Sequence, residues 1–311
     1  MIATYQAAAS IAECVASALG QTAPAHEVLV VDDGSTDETL DRLAPFRDRI
    51  LYLHQDNRGA AAATNLGARR ATGDFVSILD ADDVYEPQRL EALTELAVRR
   101  PDVDILMTDA YLDVEGEPVG QFFERTRFEV DRQQLAIFER CFVAWPAVRR
   151  TSFVELGGFD ESLRIGYDWE CWIRMLHAGC RAGAIDEPLL RYRIAGQQSL
   201  TDDRIAALRS RVRVLEIASR LDLCEQERGE LELYLRRRRR RVLLAESEHA
   251  LRANHHGARR RSVAVALASG MPLAIRLRAL AAALAPRTAA RRLAALEART
   301  GHSRIKRSIP R

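Results

Sequence analysis

Through the first 110 residues, short apolar runs alternate with segments of helical period. A parallel sheet wound from strand, helix, strand units requires that alternation. The runs at 2–4, 28–31, 50–53 and 75–79 predict four strands, and 105–108 a fifth. Helices are expected at about 8–19, 36–43, 60–71 and 87–98, with Ser35 or Thr36 as an N-cap and Pro87 suited to a first turn. The segment 2–4 is short for a first strand, and two readings stand: a strand that is simply short, or a few residues missing upstream. Residues 111–200 mix turns with apolar pieces and hold all three tryptophans, Trp145, Trp169 and Trp172, as a second lobe over a cleft would. From about Thr201 alanine and leucine recur at helical spacing among many arginines. The expected organisation is a domain at 1–200, with halves at about 1–110 and 111–200, followed by an arginine-rich helical region at 201–311.

Charge sharpens that division. The net charge of +2 conceals 20 basic against 33 acidic residues in 1–200 and 26 against 11 in 201–311. An acidic first part that binds an anionic nucleotide must do so through a metal ion or backbone N–H groups, because its side-chain field repels phosphate. The five cysteines have neither paired spacing nor a histidine at zinc-ligand distance, and they read as reduced thiols of a cytoplasmic protein. The opening residues lack the pattern of a cleaved signal peptide. The apolar stretch 262–285 contains Arg276 and Arg278 and falls short of a clean membrane span, which leaves surface attachment open. The run Arg236 to Arg241 goes round a whole helix, so a solvated helix and attraction to anionic lipid on the inner membrane face both stand. No aromatic residues interleave with it, and nucleic acid is not an expected partner.

Three segments carry candidate chemistry. The run Val28-Leu29-Val30-Val31 ends in Asp32-Asp33-Gly34-Ser35, which puts two carboxylates at the carboxyl end of a sheet, where ligands of open α/β folds bind. A receiver domain has similar acids but needs a late lysine, and the only lysine is Lys306. The run Phe75 to Leu79 ends in Asp80-Ala81-Asp82-Asp83. Three carboxylates within four residues repel one another unless a cation or donors hold them, and Mg²⁺ or Mn²⁺ prefers oxygen ligands. The bland alternative is a turn that caps the next helix. The third segment, Gly157-Gly158-Phe159-Asp160-Glu161, leads to Tyr167-Asp168-Trp169 at a helix start. Asp168 there is either a helix-end acid or a general base facing a cleft.

Together, in this order over residues 2–200, the segments resemble the family 2 glycosyltransferases of the GT-A fold. The resemblance implies a mostly parallel Rossmann-like sheet flanked by helices and an inverting, metal-dependent hexosyltransferase. It implies that Thr4, Tyr5 and Asp33 contact the nucleotide base and that Asn57, Gly59 and Asn65 line the nucleotide. It further implies that Asp80 lies by the ribose, that Asp82 of the DXD motif holds Mn²⁺ or Mg²⁺, and that Asp168 is the catalytic base. The implied partners are a nucleoside-diphosphate sugar, with a UDP-sugar favoured, and a saccharide or lipid-linked acceptor in cell-surface polysaccharide or glycolipid synthesis. A homo-oligomer and a peripheral membrane location are left open. Thr64 stands where the family often has arginine, Tyr167 where it has glutamate, and a metal-side histidine expected near Ala195 is absent, so Asp82 is expected to hold its ion with fewer protein ligands. Two other classes remain in view: an inactive carbohydrate-binding or scaffold protein, and a sugar nucleotidyltransferase. The latter opens with a glycine-rich basic loop, where this chain has Gln6-Ala7-Ala8-Ala9-Ser10.

Overall fold

The computed structural model describes the backbone of residues 1–114, 116–194, 203–253 and 257–300, and their side chains as far as 293. The chain forms two compact units, one chiefly of Met1–Gln197 with Arg220–Asp222, the other of Gln198–Ser219 with Leu223–Pro310.

The first unit begins with β1 (Ile2–Thr4), α1 (Ile11–Leu19), β2 (Leu29–Asp32), α2 (Thr39–Leu43), β3 (Leu51–His54) and α3 (Ala60–Arg70). All four residues of β2 are buried, as expected of a continuous apolar run covered on both faces. Beside it, Ile11, Cys14, Val15 and Ala18 of α1 pack on Ile2, Val30 and Leu79. Helix α2 starts later than position 36. The Ser35 and Thr36 hydroxyls accept hydrogen bonds from Gln6, and the Asp37 carboxylate holds the Thr39 N–H, so local side-chain bonds replace the expected cap.

The expected strand at 75–79 divides in two: β4 (Phe75–Ser77) and β5 (Leu79–Asp80). The step falls at Ile78, whose N–H reaches Pro146 O at 3.0 Å, while Leu79 N–H reaches Met1 O at 3.1 Å. One continuous segment therefore serves two sheets. The first is wholly parallel in the order β3, β2, β1, β5. Its register sets Thr4 beside Asp32 and Ala3 beside Asp80.

The chain continues through β6 (Val84–Tyr85), α4 (Arg89–Arg99), β7 (Ile105–Val114), β8 (Glu117–Gln121), α5 (Phe122–Arg125), α6 (Gln133–Glu139), β9 (Ala147–Arg149), α7 (Arg150–Glu155), α8 (Tyr167–His177) and β10 (Ala182–Arg193). The second sheet runs β4, β9, β7, β10, β6, with β8 on β7. Strands β7 and β10 are parallel neighbours, and everything from β8 to α8 lies between them in sequence.

The second unit is helical: α9 (Arg204–Ala218), α10 (Glu225–Arg252), α11 (Ala258–Leu267), α12 (Leu273–Leu284) and α13 (Pro286–Thr300). Asp203 caps α9 by accepting from the Ile205 and Ala206 N–H groups. Arg209 pairs with Glu246 at 2.6 Å and Arg239 with Glu216 at 2.7 Å. The arginine run lies on α10. Among the described residues, no helix is long and apolar enough to cross a membrane. The five cysteines are free.

Candidate active site

The carboxyl edge of the first sheet collects the acids expected there, and it uses them differently. Asp33 is buried, and its carboxylate accepts from Gln55 Nε2 at 2.7 Å and from the Arg58 and Gly59 N–H groups, each at 2.8 Å. It thereby fastens the 55–59 loop across the end of β2. Asp32 accepts from Ser35 N–H at 2.9 Å and from the Tyr52 hydroxyl at 2.8 Å. Burial resists its ionisation, but these donors outweigh burial and hold the Asp32 carboxyl below its ordinary value. The turn between them needs glycine: at Gly34 φ is +81°, and a Cβ would meet Asn57 N at 3.0 Å. Thr4 is buried, its Oγ1 has no partner among the described residues, and its carbonyl accepts from Asp33 N–H at 2.9 Å. Tyr5 is 51% exposed, and Asn57 and Gly59 are also exposed.

Asn65 belongs to a different contact. It is buried on α3, donates to Phe159 O at 2.8 Å and Glu161 Oε1 at 3.1 Å, and accepts from Phe159 N–H at 2.8 Å. Its amide is thus spent on the turn that follows Gly158, and Arg58 ties the same Glu161 at 2.8 Å. These bonds anchor the approach to α8. Gly166, in the left-handed region at φ +82°, starts that helix. The buried Trp169 and Trp172 hold it in place, Trp169 Nε1 donating to Ile137 O at 2.7 Å. Asp168, between these anchors, remains exposed in the first turn, and no side-chain cap bond engages the helix start. Crowding by the surrounding protein raises its carboxyl above the ordinary value.

Asp80 and Asp82 reach solvent within the same cleft. Loss of hydration in that concavity, followed by repulsion from Asp82 and Asp168, pushes the Asp80 carboxyl up to about 7. Asp82 is raised as well, by desolvation, although the Arg193 charge opposes the rise. Asp83 is fully buried, with Oδ1 accepting from Arg193 N–H at 2.9 Å and Oδ2 without a partner among the described residues. Burial, and then the charges of Asp80 and Asp82, holds its carboxyl well above the ordinary value. The structure thus brings Asp80, Asp82 and Asp168 into one cleft and turns Asp83 inward.

Two residues of this neighbourhood escaped sequence reasoning. Trp145, at φ +44°, packs its ring 4.8 Å from that of Tyr192 at a tilt of 46°, and its indole favours the ionised forms of Asp80 and Asp83. Its carbonyl accepts from Arg89 Nη2 at 2.5 Å. Arg89 is fully buried, donates also to the Thr108 hydroxyl, and lies 4.7 Å over the Tyr85 ring. The signal available was a tryptophan directly before Pro146; nothing marked Arg89.

Among the described residues, no three acidic, histidine or cysteine side chains converge as a complete cation site. Asp80 and Asp82 still fit a divalent cation chemically, since both offer hard oxygen donors that have lost much of their hydration. Mg²⁺ and Mn²⁺ commonly fill the remaining positions with water and substrate phosphate. The position near Ala195 lies outside the described residues.

Known proteins resemble this chain in sequence and fold. Residues 1–156 match the model of glycosyl transferase family 2. An uncharacterized glycosyltransferase of Rickettsia typhi is 27% identical over 185 residues, 57% of this chain and 57% of the relative. Chondroitin synthase of Escherichia coli is 29% identical over 182 residues, 57% of this chain and 26% of the relative. The matched region thus spans little more than half of the first relative and about a quarter of the second. The structure of S. aureus TarS 1–349 in complex with UDP-GlcNAc superposes with a TM-score of 0.62 at 18% identity, covering 96% of this chain and 90% of that one. This likeness shows the fold, GT-A. With half of its length matched by the family model, the chain belongs to glycosyl transferase family 2.

Proposed function

We propose that the first unit transfers a sugar from a nucleoside-diphosphate sugar to an acceptor hydroxyl with inversion, in the synthesis of a surface polysaccharide or glycolipid. The observation that carries this reading is the meeting of Asp80 and Asp82, from the end of β5, with Asp168, from the start of α8, at a distance where their charges repel. A UDP-sugar is the favoured donor, in keeping with the UDP-GlcNAc complex of the similar TarS structure. The half-exposed Tyr5 ring offers a face for the base, and the buried Thr4 before it has an Oγ1 with no partner among the described residues. Asp33 shapes the 55–59 loop, including Asn57 and Gly59, around the nucleotide. Asn65 contributes by holding the turn that leads to Asp168.

Asp168 takes the proton of the acceptor hydroxyl while that oxygen attacks the anomeric carbon from the face opposite the diphosphate. One displacement inverts the centre. Asp80 lies toward the ribose. Asp82, next to it, is the residue that would hold Mn²⁺ or Mg²⁺, which when bound neutralises charge building on the leaving diphosphate. The raised Asp168 carboxyl makes its carboxylate a stronger base than an ordinary aspartate.

The test is a screen of UDP-, GDP- and TDP-sugars for release of the diphosphate. Release from one donor, abolished by a chelator and by Asp82→Ala, is expected. If no donor turns over and no nucleoside diphosphate with metal raises the melting temperature, a carbohydrate-binding or scaffold protein is the better description.

A further inference from the structure

Helix α12 carries its large apolar residues on the outside. Its inner face presents only Ala279 and Ala282, 8% and 7% exposed, with Ile275 packed near Val265, Ala266 and Met271. Its outer face carries Leu273, Leu277, Leu280 and Leu284, exposed by 68%, 58%, 48% and 77%. Steps of four, three and four residues place these leucines within an arc of roughly 60°, in a stripe about 17 Å long. Val263 and Leu267 of α11, one helical turn apart, are 40% and 73% exposed. Contiguous apolar surface of this kind marks an interaction site more often than a bare exterior.

Charge selects the occupant. From position 257 to position 293 the chain has eight arginines and no aspartate or glutamate, and Arg276 and Arg278 stand exposed on α12 itself. A second copy of the chain would bring the same cationic segment against the first, with no carboxylate to answer it. An anionic lipid surface answers both features, with acyl chains for the leucines and headgroup phosphates for the arginines. With 12 residues, α12 is about 18 Å long, short of the roughly 30 Å hydrocarbon core, so its place is along the interface. We propose that α11 and α12 dock the protein on an anionic bilayer, with the leucine stripe seated at the boundary of headgroups and acyl chains.

The full-length chain, with Leu277→Asp/Leu280→Asp and Arg276→Gln/Arg278→Gln as paired variants, would be sedimented with phosphatidylcholine vesicles with and without phosphatidylglycerol. All these positions are exposed, and unchanged helical circular dichroism would show that the fold is kept. Binding to the anionic vesicles alone, weakened about tenfold or more by either pair, is expected. Donor hydrolysis in lipid-free solution should be the same in both variants and the parent, which separates this proposal from the assignment of the active site. Equal partition onto neutral and anionic vesicles, or unchanged binding by the leucine pair, overturns it. So does a dimer in sedimentation velocity that the leucine pair dissolves while no vesicle binding is found; the stripe would then seat a second copy.

Discussion

Asp168 sits on a firmly anchored stretch of backbone, with donors to its carboxylate only from the backbone N–H groups of its own helix start. Trp169 and Trp172 fix the helix around it, and the carboxylate is left exposed. Asp168→Asn should reduce kcat by about two to four orders of magnitude with little change in donor affinity, measured by steady-state kinetics and by titration of the nucleotide. In the proposed role of base Asp168 must be ionised, and its folded-state value is raised. Turnover of the parent should therefore fall, on acidification, at a pH above the ordinary aspartate value of 3.8. Asp32 shows the opposite sign. Donors from Ser35 and Tyr52 depress its carboxyl, so its contribution to stability is present above the ordinary value and is lost as pH falls through the lower, folded-state value. Tyr52→Phe removes one of these donors. Its destabilisation should be clear in urea at neutral pH and shrink toward zero at the acid end of the same series.

At the level of elements, the segment from α3 to α8 depends on one buried amide and one glycine. Gly158 has φ +66°, and a methyl group there would run into Asn65 Oδ1. Gly158→Ala should therefore cost about 1–3 kcal/mol in denaturant unfolding and lower turnover by displacing the start of α8. The hydrogen-bonded pairing of Asn65 with Phe159 was not legible in the sequence, because the two are 94 residues apart and nothing around either one marks its partner. The elements that were legible carry their own pattern: β2 is an unbroken apolar run that ends in acids, and β5 ends in the Asp80 to Asp83 cluster. The division at Ile78 was hidden for a physical reason. Ile78 is as apolar as its neighbours, and the switch of sheet is set by the distant carbonyls of Pro146 and Met1. Likewise, leucine periodicity identified the α12 region as helical without telling which side faces inward, since packing decides that.

For the whole molecule, the separation of charge has a measurable consequence. The region to position 200 holds 13 more acidic than basic residues, a field that opposes a nucleoside diphosphate. Without a divalent ion, affinity for UDP should rise as sodium chloride is increased from low ionic strength, because screening relieves the repulsion. With Mn²⁺ present that dependence should flatten or reverse, and isothermal titration in both series would establish the sign. A different property follows from the step at Ile78. A single short segment is woven into both sheets and delivers Asp80 directly from the second of its two pairings. The sheets are laced by the same thread, and neither can swing about the other without tearing hydrogen bonds beneath the acid cluster. The floor of the cleft therefore behaves as an anvil, and any closing stroke during a catalytic cycle has to come from segments above it.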